Sequence, residues 1–286
     1  MPDTYQENLG DPSSEPKKFK KKNRRWIKYT IDTLLIVVLG AVAIVSANII
    51  YLSTEFGSSF YVNGASMYPT LNYDALRNEG GTYRKFNWND GGNRDGDIVD
   101  WGWAKMGTKD WKSDLKRYDI LITYYKEDYV KDSYGNVTSK LINDPSLKVK
   151  RLIAFPGETV KFEYNPDNYA WGKTTVTHVD GTSEVLKELY TIDNYPNIGS
   201  KKYPSPEGYG TWTLKENEYF LMGDNRGGWN SKDSRSEGPI PLNFIQGKCH
   251  LITARRRLIK QNNSKNFSTQ FMLNYLKMPW DYIHLA

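Results

Sequence analysis

Residues 26–52 read WIKYTIDTLLIVVLGAVAIVSANIIYL, and this stretch decides how the chain is divided. Residues 33–52 carry no charged side chain, and about 20 apolar residues are needed to cross a bilayer as a helix. Trp26, Tyr29 and Tyr51 stand near the ends of the run, where interfacial aromatic residues are typical. The pattern therefore predicts a transmembrane anchor over residues 26–52.

The segment before the anchor is polar, charged and dotted with proline, so we predict a disordered tail over residues 1–25. Residues 1–28 hold eight basic and four acidic side chains, which gives +4 of the net charge of +6. Basic residues beside a membrane span stay in the cytoplasm, so residues 53–286 should lie outside the cell. With the excess charge concentrated beside the span, the composition does not indicate a nucleic-acid-binding face.

A cleaved signal peptide is the alternative to a retained anchor. Val45, Ser46 and Ala47 offer small residues at a spacing that a cleaving enzyme accepts. The apolar run nevertheless continues past them to Leu52, and the charged leader is long for a signal peptide. We therefore favour the anchor.

Beyond the anchor, short segments rich in β-branched and aromatic residues alternate with turn residues. Four of these segments are SFYVNG, RYDILITYY, LKVKRLIAF and EYFLMGDN. Aromatic residues make up 14% of the chain, which favours strands over a helical bundle. We predict a mainly β fold, with an antiparallel, barrel-like domain over residues 53–286 and a smaller β-rich elaboration. Residues 77–116 and 164–212 are interpreted as insertions.

Cysteine and histidine are scarce. Cys249 is the only cysteine, so no intrachain disulfide can form. His178, His250 and His284 are too far apart in sequence for a metal-ligand motif. We expect neither a metal nor another cofactor.

Ser66 follows an Asn-Gly-Ala turn after an apolar strand, and Pro69 fixes the exit from that turn. Such a turn can present a hydroxyl on exposed backbone, although an ordinary turn serine fits the same residues. A serine hydroxyl becomes a useful nucleophile only when a base removes its proton. With three histidines in the whole chain, a lysine becomes the candidate base.

Lys150 lies in the segment SLKVKRLIAFPG, where strand alternation places Lys148 and Lys150 on one face. An ordinary lysine, with a pKa of about 10.4, is charged at neutral pH and cannot accept a proton. Burial can lower that pKa by several units. The apolar neighbours Leu152, Ile153 and Phe155 make burial plausible, while a solvated strand lysine is the plainer interpretation.

A polar loop after the last apolar segment is the third element. It contains Gly223-Asp224-Asn225-Arg226, followed by Asn230-Ser231-Lys232-Asp233-Ser234-Arg235. Turn chemistry with surface ion pairs explains such a loop, and so does a buried network that orients catalytic groups.

Together these segments resemble the bacterial type I signal peptidases (the leader peptidase family), in particular the single-anchor Gram-positive type. The resemblance covers the anchor and four segments in the family's order. They are Ser66–Leu71, Arg117–Ile122, Lys150–Glu158 and Gly223–Arg235. It implies a membrane-anchored serine endopeptidase that removes signal peptides from exported preproteins after Ala-X-Ala-like sites.

The resemblance also implies a role for each matching residue. Ser66 would be the nucleophile, with its backbone N–H in the oxyanion hole, and Lys150 the general base. Ser231 would hydrogen-bond the lysine amine. Two ion pairs, Asp224 with Arg151 and Asp233 with Arg235, would brace the site. Arg226, in the same loop, would also support it. The shallow pockets for small substrate residues would be lined by Phe60, Val62, Met67, Leu71 and Val149.

Three positions depart from the family pattern. Gly64 stands where some relatives carry a second hydroxyl for the oxyanion hole, and glycine at this position is common in Gram-positive-like members. Residues 227–229 separate Arg226 from Asn230, where one residue is usual, and this puts the role of Ser231 in question. Glu158 replaces the usual aspartate.

Three other functions compete with this interpretation. A related cytosolic autoprotease of the repressor type would share the chemistry but would lack residues 26–52. A specialised or catalytically retired relative could serve pilin or surface-polymer assembly, although Ser66 and Lys150 are both present. An anchored surface-binding domain would need no chemistry at all.

Overall fold

The computed structural model describes residues 22–62, 64–72, 95–107, 110–163, 173–191, 209–226, 231–261, 267–271 and 283–285. The chain divides into two units, Met1–Ile50 and Tyr51–Ala286.

Helix α1, Lys22–Phe56, contains 35 residues. The most apolar 18-residue stretch of this helix has a mean hydropathy of 2.6, and the protein does not bury it. Among the described residues it is the one helix long and apolar enough to cross a membrane. It extends the predicted anchor at both ends, so residues 22–25 are helical and not part of a disordered tail. The rest of that tail lies outside the described residues.

The remaining described elements are mostly strands. Their bounds are β1 Gly57–Tyr61, β2 Ile98–Met106, β3 Ile120–Thr123, β4 Tyr129–Lys131, β5 Val137–Leu141, β6 Lys148–Ala154, β7 Thr159–Glu163, β8 Lys173–Thr177, β9 Ser183–Val185, β10 Gly210–Thr213, β11 Glu218–Met222, β12 Ile240–Pro241, β13 Ile245–Lys260, β14 Phe267–Phe271 and β15 Ile283–His284. A short helix, α2 Ser234–Glu237, precedes β12.

The strands form three antiparallel sheets. The large sheet has the order β1-β2-β13-β3-β6-β11-β12, with β14 and β15 also paired to β13. A four-stranded sheet has the order β10-β7-β8-β9, and β4 pairs with β5 as a separate hairpin. The predicted class, a mainly β antiparallel fold with a smaller β-rich part, is confirmed.

Strand β13 ties the large sheet together over 16 residues. It pairs with β2 and β3 and shifts register near Cys249 and Ile252. Irregularities of this kind bend a strand and increase its twist. One strand can therefore pair with several partners along its length.

One boundary of the predicted insertions needs correction. Strand β2 falls within residues 77–116, yet it lies inside the large sheet between β1 and β13. Its burial pattern is irregular because both faces are partly covered, so the sequence lacks a clean alternation. In contrast, β8 and β9 of the small sheet do come from residues 164–212. Residues 77–94 and 192–208 lie outside the described residues.

Candidate active site

Ser66 lies in the turn that follows β1, and a buried asparagine holds this turn. Gly64 has a φ of 98°, a left-handed conformation that favours glycine. The Asn72 amide donates to the carbonyl oxygens of Val62, at 2.8 Å, and Gly64, at 3.0 Å. Asp100 accepts from the Asn72 N–H at 2.7 Å and donates its own N–H to the Asn72 side chain at 2.8 Å. These bonds fix both ends of the turn to β2.

Lys150 approaches the serine from an internal strand. It lies on β6, opposite Leu121 of β3, and only 3% of its surface is exposed. Its Nζ donates to Ser66 Oγ at 2.8 Å and to the carbonyl oxygen of Val149 at 2.9 Å. Sequence reasoning paired these two residues across 84 positions, and the structure brings them within hydrogen-bond distance.

Burial lowers the pKa of the Lys150 amine from its ordinary value to about 8. The carboxylates of Asp233 and Asp224 oppose this shift, whereas the positive charges of Lys148 and Arg235 reinforce it. A pKa of about 8 leaves a substantial neutral fraction near neutral pH, and a neutral amine can accept a proton.

Arg151, the next residue along β6, pairs with the polar loop. Its Nε and Nη2 donate to the two carboxylate oxygens of Asp224 at 2.7 and 2.6 Å. Asp224 also accepts a bond from the Thr70 hydroxyl at 2.5 Å. The predicted pair is therefore a buried, two-pronged ion pair that ties the loop to the end of the serine turn.

Asp233 and Arg235 form the second predicted pair. Asp233 caps α2 and accepts from the Arg235 guanidinium at 2.9 Å through each of its oxygens. Burial would raise the pKa of the Asp233 carboxyl, but Arg235 and the N–H of Gly223 hold it at about 2. The Asp233 carboxyl is therefore negatively charged at neutral pH, and its charge acts on the Lys150 amine.

Ser231 occupies a different place from the one that the resemblance implies. Its hydroxyl donates to Asp233 at 2.7 Å. The Lys150 amine donates to Ser66 and to the Val149 carbonyl oxygen. The expected hydrogen bond between Ser231 and this amine is not made. The hydroxyl proton goes to Asp233 because a charged carboxylate is a stronger acceptor than a neutral amine. The longer spacer, residues 227–229, lies outside the described residues.

The polar loop also contacts the backbone of the nucleophile. The Asn225 N–H donates to the Ser66 carbonyl oxygen at 3.0 Å, and the Asn225 side chain donates to Ala65 at 3.1 Å. A Cβ on Gly223 would lie 2.4 Å from that same Ser66 oxygen and 2.2 Å from Ser231 Oγ. Only glycine fits where the loop and the turn meet.

Arg226 is buried and pairs with Glu188. Its Nη1 donates to Glu188 at 3.0 Å, and its Nε donates to the Gly223 carbonyl oxygen at 2.6 Å. Sequence reasoning missed Glu188, Tyr190 and Asn72, because none of them belongs to a recognisable local motif. Because a buried arginine needs an anionic partner, Arg226 itself was the one sign that such a partner exists.

Glu158 makes the contacts of a structural anchor. It accepts from both terminal nitrogens of Arg117, at 2.7 and 3.2 Å, and from the Phe155 N–H at 2.8 Å. His178 lies 2.7 Å from the same carboxylate. Glutamate therefore works here in place of the usual aspartate as a brace for the turn after β6.

The five predicted pocket residues belong to one hydrophobic cluster beside the serine turn. Met67 and Leu71 are each 1% exposed, and Val62 is 3% exposed, so these three form its buried interior. Phe60 and Val149 are only partly buried and present accessible surface. A role for these five residues as a substrate pocket stays a prediction.

Within the described part of the chain, no group of three or more His, Cys, Asp or Glu side chains could hold a metal ion. The site as described consists of a hydroxyl, an amine and their hydrogen-bonded supports.

Comparisons with known proteins indicate the family to which the chain belongs. A family model described as "Signal peptidase, peptidase S26" matches residues 30–254. Signal peptidase I of Haemophilus influenzae is 32% identical over 139 residues, which cover 44% of this chain and 38% of that relative. The match thus spans less than half the length of the relative.

Solved structures also resemble this chain. One is a crystal structure of a signal peptidase I from Enterococcus faecalis V583, with 23% identity and a TM-score of 0.30. The match covers 47% of this chain and 95% of that chain.

The matched residues 30–254 include the serine turn, the lysine strand and the polar loop. Because the family model covers most of the chain, this protein belongs to the signal peptidase family, peptidase S26.

Proposed function

We propose that the protein is a membrane-anchored serine endopeptidase that removes signal peptides from exported preproteins after Ala-X-Ala-like sites. The observation that carries the proposal is the 2.8 Å hydrogen bond between the buried Lys150 amine and Ser66 Oγ. A nucleophile within reach of a base whose pKa lies near the working pH is the arrangement that acyl transfer needs.

The chemistry proceeds through an acyl-enzyme. Neutral Lys150 accepts the Ser66 proton as Oγ attacks the scissile carbonyl carbon and forms the C–O bond. The protonated lysine then donates that proton to the leaving amine as the peptide C–N bond breaks. In the second half, Lys150 takes a proton from water as the water oxygen bonds to the ester carbon. The ester C–O bond to Ser66 then breaks, Oγ takes the proton back from Lys150, and the acyl group leaves as a carboxylic acid.

The tetrahedral intermediates carry a negative oxygen that needs a hydrogen-bond donor. The Ser66 backbone N–H is our candidate, because Asn225 and Asn72 hold the flanking backbone in place. Gly64 supplies no hydroxyl, so a second donor must come from the backbone or from water.

Substrate selection follows from the surface beside Ser66. The residues before the cleavage site would lie as an added β-strand against the sheet, which supplies main-chain hydrogen bonds and two shallow side-chain pockets. Phe60 and Val149 are the partly exposed residues there, and we expect them to line pockets that take small residues such as alanine. Exported preproteins present such residues directly after their apolar segment.

Helix α1 supports a position in the cell membrane. With basic residues before it, the N-terminus would be cytoplasmic and the catalytic domain extracellular. Substrates whose apolar segments lie in the same bilayer would share one surface with the enzyme. Confinement to that surface raises their effective concentration without a further contact.

A cleavage assay tests the proposal. Full-length protein in detergent is incubated with a labelled preprotein that carries Ala-X-Ala, and the new N-terminus is identified by mass spectrometry. We expect cleavage after the second alanine by wild type and by Lys140→Ala, a change at an exposed strand lysine. Ser66→Ala and Lys150→Ala should each be inactive. Cleavage that survives either of the last two changes, or none by wild type, contradicts the proposal.

A further inference from the structure

Glu188 lies after β9, in the part of the chain that carries the small sheet, and its side chain is 3% exposed. It does not contact Ser66 or Lys150. We propose that Glu188 is a positioning residue for this serine–lysine pair and acts through Arg226 and Tyr190. The inference builds on the proposed function, because it concerns the geometry of the same site.

Glu188 is surrounded by donors. Arg226 donates to both of its carboxylate oxygens, at 3.0 and 2.5 Å. The hydroxyls of Thr174 and Tyr190 each donate to it at 2.8 Å. The Arg226 side chain is 2% exposed, so the ion pair is sealed from water and fully hydrogen-bonded. Removing one charge from such a pair leaves the other buried and unpaired.

The first connection to the site runs through Arg226. Its Nε donates to the Gly223 carbonyl oxygen at 2.6 Å. Gly223 touches the Ser66 carbonyl so closely that a Cβ would have no room, and Asn225 donates to that same oxygen. A displacement of Arg226 therefore moves the segment that holds the backbone of the nucleophile.

The second connection runs through Tyr190. Its ring centroid lies 4.0 Å from the Arg151 guanidinium, a close cation–π contact. Arg151 in turn holds Asp224, which accepts from Thr70 at the end of the serine turn. The bond from the Tyr190 hydroxyl to Glu188 fixes the orientation of the ring.

Both connections meet at the short stretch of chain around Ser66, so one carboxylate in the segment after β9 orients Arg226 directly and Arg151 through Tyr190. Proton transfer requires the serine oxygen to stay within hydrogen-bond reach of the lysine nitrogen. Loss of the Glu188 charge should therefore reduce kcat, whereas KM should change little because the pocket residues do not contact it.

Glu188→Gln in the full-length chain is the central variant. We expect kcat to fall about 10- to 100-fold, as displacements of catalytic groups typically cause, with KM changed less than about two-fold. The same change made in an Arg226→Gln background should add less than about two-fold, because the two residues act as a unit. Glu184→Gln, an equal charge change on an exposed residue of β9, is the control and should leave kcat intact.

Hydrogen–deuterium exchange supplies a readout that does not need catalysis. In Glu188→Gln, peptides that cover residues 64–72 and 218–226 should exchange faster than in wild type and in Glu184→Gln. If wild type fails to cleave but this change in exchange occurs, the proposed function is wrong and the positioning role stands. If Glu188→Gln does not fold, Tyr190→Phe, which removes only the hydroxyl bond to Glu188, takes its place with the same expected directions.

Two results would overturn the inference. One is wild-type kcat together with unchanged exchange in the folded variant. The other is a full multiplicative loss in the Glu188→Gln, Arg226→Gln double variant, since residues that act independently behave in that way.

Discussion

Lys148 and Lys150 project from the same face of β6, yet their amines have opposite electrostatic surroundings. The Lys148 amine pairs with the carboxylate of Asp128 and lies 3.3 Å from Glu127. The Lys150 amine donates only to neutral oxygens, those of Ser66 and Val149. One amine is paired with carboxylates, and the other has only neutral hydrogen-bond partners and a lowered pKa.

The Lys148 charge helps to lower the pKa of Lys150, so Lys148→Gln should raise it. The sign follows because a nearby positive charge disfavours the protonated amine, and the change removes that charge. We expect the acidic limb of kcat/KM against pH to move upward by about half a pH unit, with lower activity at pH 7. Lys140→Gln is the control. If the acidic limb does not move, the charge of Lys148 has no effect on the pKa of the Lys150 amine.

Asp224→Asn should destabilise the protein, since it leaves the buried Arg151 cation without its charged partner. The expected loss is about 3–5 kcal/mol in the free energy of unfolding. Chemical unfolding in detergent, followed by tryptophan fluorescence, measures it. The control Asp144→Asn, at an exposed position, should stay within about 0.5 kcal/mol of wild type. Equal stability of the two variants would mean that the ion pair contributes nothing.

Gly223→Ala should disable the enzyme because its Cβ would overlap the Ser66 carbonyl oxygen and the Ser231 hydroxyl. We expect cleavage to fall at least 10-fold and stability to fall by about 1–3 kcal/mol, as overpacking typically costs. Gly40→Ala is the matched change, because a Cβ there meets nothing within 4 Å. If Gly223→Ala is fully active, catalysis does not require the polar loop to lie this close to Ser66.

Features that depend on local pattern could be predicted from the sequence. The apolar helix needed only length and the absence of charge, and strand alternation placed Lys148 and Lys150 together. Strand β2 was hidden because an internal strand covered on both faces loses the alternation that identifies strands at a surface.

Much of the support around Ser66 could not be read from local pattern. Glu188 meets Arg226 across 38 positions, and Asn72 meets Asp100 across 28. Such partners are found only when the fold brings them together, because neither member has a distinctive neighbour in sequence. The Ser231 hydroxyl illustrates the same point, since the nearby charge of Asp233 decides where it donates.

The central claim is that a neutral Lys150 amine removes the Ser66 proton. The most direct measurement is the single-turnover rate of preprotein cleavage from pH 6 to 10, with chemistry rate-limiting. The pKa of about 8 predicts a rate that rises tenfold per pH unit at low pH and levels off above pH 8. A rate that stays flat across this range, or that keeps rising tenfold per pH unit up to pH 10 without levelling off, would contradict the claim.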